Sequence, residues 1–135
     1  MINKTLVEAR EWLDTRWRAG QSQKRVSCDC VGLIVGVVAN LGFKIELENY
    51  SQIPDGDSLT MEVRKYAEEI PAEERRPGDV LLFNFSSGGY PSHVGFLSEN
   101  DYFIHADARS RIRKVVEVPL GYWENRIVGV YRLPV

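Results

Sequence analysis

The chain has 135 residues, 44% of them hydrophobic and 27% charged, with a formal net charge of −2. This length fits a single domain, residues 1–135, that buries its own core, and the near-neutral balance offers nucleic acid no electrostatic footprint. Two cysteines one residue apart provide no disulfide framework, and Met1-Ile2-Asn3-Lys4 runs into an amphipathic pattern, so neither a secretory signal nor a membrane span is expected.

Leu6, Ala9, Trp12 or Leu13, and Trp17 recur at three- and four-residue steps, which predicts one amphipathic helix over about 4–19, closed by Gly20. The polar stretch Gly20-Gln21-Ser22-Gln23-Lys24-Arg25 reads as a loop. Asp29 then stands as an N-cap, with Cys30 at the first helical position. Val31, Leu33, Ile34, Val35, Val37, Val38 and Leu41 make the following helix apolar on nearly all sides, so it should be buried, with Gly42 as its stop. Gly32 and Gly36, four apart, would let another element approach closely.

Residues 43–50 alternate without a clear period, and Pro54-Asp55-Gly56-Asp57 has turn chemistry. Asp57 or Ser58 caps a helix expected over about 59–70. Strands are expected at 80–85, around His93, around His105, at 111–118 and at 126–133. Ser86-Ser87-Gly88-Gly89, Glu99-Asn100-Asp101 and a Leu120-Gly121-Tyr122-Trp123 corner separate them. Arg109, Arg111 and Arg113 alternate as a solvated strand face would. Helices first and a meander after is the α+β pattern.

The chemistry concentrates at Cys28-Asp29-Cys30. A thiol in the first turn of a helix meets unpaired N–H groups and the positive end of the helix dipole, which favour its thiolate. His93 and His105 are the chain's two histidines. One could accept the thiol proton and the other orient it, the logic of an activated nucleophile, with Asp107 as another candidate for the orienting group. A metal site is the rival reading, because Cys28, Cys30, His93 and His105 are all zinc ligand types. A one-residue cysteine spacer is, however, tighter than zinc sites use.

Four motifs in order resemble those of the NlpC-type papain-like cysteine peptidases that cut bacterial peptidoglycan: Asp29-Cys30-Val31-Gly32-Leu33, Pro77-Gly78-Asp79-Val80, His93-Val94-Gly95 and Ile104-His105-Ala106. The resemblance implies a papain-like α+β fold, with the nucleophile at the start of a buried central helix packed on a mainly antiparallel sheet of five to six strands. It implies Cys30 as nucleophile, His93 as general base and acid, and His105 as the orienting third member. No cofactor or metal is implied. The substrate implied is a peptidoglycan stem peptide cut between γ-D-glutamate and a diamino acid, and an N-acetylmuramoyl-L-alanine amidase of the related CHAP type is the nearest alternative. A non-catalytic structural part of a tail or wall-binding assembly is a further one.

Thr15-Arg16-Trp17 stands where the family has Thr-Pro-Tyr, and Val31 replaces the family's serine. Trp17, Asp29 and Val31 are therefore the expected substrate-binding or oxyanion positions. The leading Cys28 resembles the phage-encoded branch, whose members associate with tail proteins. Synthesis in the cytoplasm, followed by action on the wall as a virion component or after lysis, is the expectation that goes with it.

Overall fold

The computed structural model describes residues 2–46, 58–84 and 91–135. In chain order they form α1 (Lys4–Arg10), β1 (Arg16–Trp17), β2 (Ser22–Gln23), β3 (Ser27–Cys28) and α2 (Cys30–Asn40). There follow α3 (Ser58–Tyr66), β4 (Glu68–Glu69), β5 (Val80–Asn84), β6 (Pro91–Leu97), β7 (Tyr102–Asp107), β8 (Lys114–Pro119) and β9 (Ile127–Arg132). The expected turns at 54–57 and 86–89, and the end of the alternating stretch at 47–50, lie outside the described residues.

All nine described strands join one sheet in the order β2-β3-β1-β8-β7-β6-β5-β9-β4. The five long strands are antiparallel neighbours, and β5 through β8 form the expected meander. The two-residue strands extend both edges, with a parallel β1–β3 pair making the sheet mixed. The turn between β6 and β7 places Asn100 and Asp101 at φ 57° and 58°, a left-handed pair that short polar side chains tolerate.

Strand alternation divides the interior in two. Val80 and Leu82 of β5, Val94 and Phe96 of β6, and Ile104 and Ala106 of β7 pack in one cluster with Leu33, Val37 and Val38 of α2. Leu81, Phe83, Leu97 and Phe103 face the other way, into a second cluster that includes Leu120 and, at its margin, Trp123.

Two helices differ from their sequence expectation. The first ends at Arg10, and Asp14 at φ 69° puts a bend where the helix was to continue to 19. Trp12 nevertheless keeps its buried place by packing on α2, where a Cβ on Gly36 would stand 2.1 Å from its ring. Trp17 lies on β1, not at a helix end. The helix expected to reach 70 stops at Tyr66, because Glu68 and Glu69 pair with β9 and carry Ile70 into the second cluster. The strand expected from 111 starts only at Lys114, and Arg113 adopts φ 48°. The arginine alternation is therefore loop, not a strand face.

Candidate active site

Cys30 opens α2 in the position expected of it. Asp29 caps the helix, its Oδ1 accepting from the Gly32 N–H at 2.7 Å, while its Oδ2 accepts from the Gly20 N–H at 2.7 Å. Leu33 donates to the Asp29 carbonyl at 2.9 Å and closes the first turn. At the other end Gly42, at φ 89°, donates to Ala39 O and Phe43 donates to Val38 O, a Schellman closure. A buried helix held at both ends gives its first residue a fixed position.

The N–H groups of Val94, Val31 and Cys30 itself lie against the sulfur of Cys30, a half-buried residue. Val94 follows His93 on β6, so the thiol meets that strand one residue from the imidazole. Burial is the larger influence on the thiol: together with the nearby Asp29 carboxylate it outweighs the three N–H groups and pushes the Cys30 pKa up to about 12. The expectation that the helix start favours a thiolate is corrected accordingly. A neutral thiol is the resting form.

His93 and His105 lie on neighbouring strands, with His93 Nε2 2.8 Å from His105 Nδ1. Their rings pack among the aromatics of the second cluster: His105 stacks on Phe103 at 4.2 Å between centroids, and Trp123 lies 5.5 Å from His93 and 5.0 Å from His105. Burial, aided by the neighbouring His105, lowers the His93 pKa to about 3, and burial lowers that of His105 to about 4. Both imidazoles are neutral at pH 7. Asp107, at the end of β7, takes a two-pronged ion pair from Arg109, whose Nε lies 3.0 Å from Oδ1 and Nη2 2.7 Å from Oδ2. Burial works to raise this carboxyl, and the Arg109 contacts outweigh it and hold it low.

An open cleft of about 430 Å³ runs past His93, walled by Trp123 and Tyr122 and edged by Arg109 and Arg126. Trp17 stands elsewhere, on β1 opposite Cys28, with the Arg113 guanidinium 4.9 Å above its ring. Val31 is 7% exposed, so its side chain serves the core, and only its backbone N–H faces the thiol. Cys28 is fully buried on β3 and burial raises its pKa to about 12. Among the described residues, no group of three or more His, Cys, Asp or Glu is placed to hold a metal ion. The contacts made by Trp123 and Arg109 were not legible in the sequence, where Trp123 reads as core and Arg109 as strand surface. The only local signal was the alternation His105-Ala106-Asp107-Ala108-Arg109.

A cysteine at the first turn of a buried helix, meeting an antiparallel sheet beside a histidine pair, defines the papain-like cysteine peptidase class. Within it, the model of the NlpC/P60 family matches residues 14–132, and the chain belongs to that family. It is 27% identical over 126 residues to the "Probable endopeptidase NlpC" of Escherichia coli strain K12, covering 93% of this chain and 74% of that one. It is 26% identical over 125 residues to the same organism's "Murein DD-endopeptidase MepS/Murein LD-carboxypeptidase", covering 92% of this chain and 58% of that one. Among solved structures, an NLP/P60 family protein from Staphylococcus aureus superposes with a TM-score of 0.69 at 24% identity, covering 96% of this chain and 40% of that one. The chain thus spans well under the full length of several of the proteins it matches.

Proposed function

We propose that residues 1–135 act as one cysteine endopeptidase domain on peptidoglycan stem peptides, cutting the amide between γ-D-glutamate and a diamino acid. The observation that carries this reading is the meeting of the Cys30 thiol with β6 at Val94, next to a His93 ring held by His105. In this scheme His93 takes the thiol proton as the sulfur attacks the amide carbonyl. The oxyanion is held by the N–H groups of Cys30 and Val31, the first-turn donors left after Asp29 and the helix have used those of Gly32 and Leu33. The proton passes to the leaving amine, and water then hydrolyses the thioester with His93 as base. His105 orients His93, and Asp29 acts by fixing the helix start.

Arg109 and Arg126 suit the cleft beside His93 to the carboxylates of a stem peptide, while Trp17, outside that cleft on β1 opposite Cys28, is the further substrate contact of this reading. The Cys28-Asp29-Cys30 form favours a tail-associated, phage-encoded member of the family, and action on the wall after lysis or from a virion.

Digestion of purified cell wall, with analysis of the bonds cut, tests the reading. The expected product carries a new amine on the diamino acid and a new γ-carboxylate on D-glutamate, and is absent with Cys30→Ala. Release of free L-alanine amines would instead mark an amidase. Unchanged wall would favour a structural component.

A further inference from the structure

Among the described residues, the buried His105 Nε2 has no hydrogen-bond partner. The atom facing it is Oδ2 of Asp107 at 3.8 Å, on a residue only 2% exposed. The two residues are two apart on β7 and so project from the same face. Asp107 is fixed in turn by Arg109, whose backbone N–H donates to Oδ1 at 2.9 Å and whose guanidinium spans both oxygens.

With both rings neutral, the 2.8 Å contact between His93 Nε2 and His105 Nδ1 is made by a single proton, carried by one ring or the other. If His93 is to accept the thiol proton on Nδ1, that shared proton must belong to His93 Nε2. His105 Nδ1 is then a bare acceptor, and neutral His105 must carry its own proton on Nε2. We propose that Asp107 and Arg109 are a positioning pair that selects this tautomer of His105, and thereby keeps Nδ1 of His93 unprotonated, as a base must be.

At 3.8 Å the carboxylate acts through its field and not through a hydrogen bond, and in a buried, weakly screened site that field favours a proton on the facing nitrogen. Arg109 has the complementary task. An uncompensated carboxylate would draw a second proton onto His105, and a doubly protonated ring would turn its Nδ1 into a donor toward His93. The charges act on His105 in these two senses, Asp107 favouring and Arg109 opposing its protonation. Buried position, partnerless nitrogen and braced carboxylate thus share one explanation.

The inference rests on His93 being the base for Cys30, but its test does not depend on turnover. With two histidines in the chain, two-bond ¹H–¹⁵N correlation spectra of ¹⁵N-histidine protein report each tautomer, and His93→Gln assigns the signals. The wild type is expected to show His105 protonated on Nε2 alone at pH 7. In the isosteric Asp107→Asn the negative field at Nε2 is lost while that of Arg109 remains, so the proton should move to Nδ1. Wall digestion should then lose on the order of a hundredfold or more in kcat, with KM unchanged. Arg109→Lys, which keeps the charge, should retain the wild-type tautomer. His105 protonated on Nδ1 in the wild type, or on Nε2 in a folded Asp107→Asn, overturns the proposal. If the tautomers behave as expected but Cys30→Ala digests wall as well as wild type, the peptidase reading fails instead.

Discussion

The carboxylate of Asp29 joins Gly20 to Gly32, one oxygen accepting from each N–H at 2.7 Å. The turn that follows β1 and the first turn of α2 are therefore tied through the residue that precedes Cys30. Removing both bonds in Asp29→Ala should cost about 1–2 kcal/mol of stability, measured by urea denaturation. Asp29→Asn keeps an acceptor for the cap but deletes the negative charge that raises the thiol. The pH midpoint of Cys30 alkylation should then move down relative to wild type. An unmoved midpoint would mean that burial alone sets it.

Gly95 sits where the two histidine strands leave no room for a side chain. A Cβ there would lie 2.9 Å from the Ile104 carbonyl oxygen and 3.1 Å from the His105 Cβ, and neither neighbour is a flexible side-chain end. Gly95→Ala should destabilise the fold by about 1–3 kcal/mol and shift His105 relative to His93. Denaturation curves and turnover together check this, and a variant with wild-type turnover would contradict it.

Cys28 and Cys30 should separate cleanly in a thiol-labelling experiment. Cys28 is fully buried between β1 and β2, whereas Cys30 is half-buried. Peptide mapping after iodoacetamide treatment of native protein should find label on Cys30 only, and on both after denaturation. Cys28→Ala should leave wall digestion near wild type.

The histidine pair should also make the fold sensitive to mild acid. His93 is held at about 3 and His105 at about 4 against 6.5 for a free imidazole. Between those limits the unfolded chain binds protons that the folded chain refuses, so stability falls as pH drops below 6.5. At pH 5 one such histidine costs about 2 kcal/mol. Denaturation midpoints at pH 7 and pH 5 should differ more in wild type than in His93→Gln. Equal differences would contradict a neutral, buried His93.

Local signals carried much of this architecture. Asp29 before the apolar run and Gly42 after it marked α2 because cap and stop depend on neighbouring residues alone. The short apolar run of β5 was equally readable as a strand, and it is apolar throughout because both its faces are covered: Val80 and Leu82 face one cluster while Leu81 and Phe83 face the other. Trp12 and Trp17 misled, because helical spacing can arise from a buried turn residue followed by a strand residue. The two-residue strands β1 to β4 have no period to detect. The direction of the Cys30 shift depends on burial beneath distant strands, which no first-turn argument contains. Asp107 was visible as a candidate in place of His105, whereas the fold puts it behind His105.

Attack by the Cys30 thiol on a stem peptide, with His93 taking its proton, passes through a covalent intermediate. Intact-mass spectrometry of protein acid-quenched during turnover of a soluble L-alanyl-γ-D-glutamyl-diamino acid peptide tests it most directly. An L-alanyl-γ-D-glutamyl adduct confined to Cys30, and missing in His93→Ala, is the result expected. An adduct on Cys28, or undiminished cleavage of the peptide by Cys30→Ala, would contradict the account.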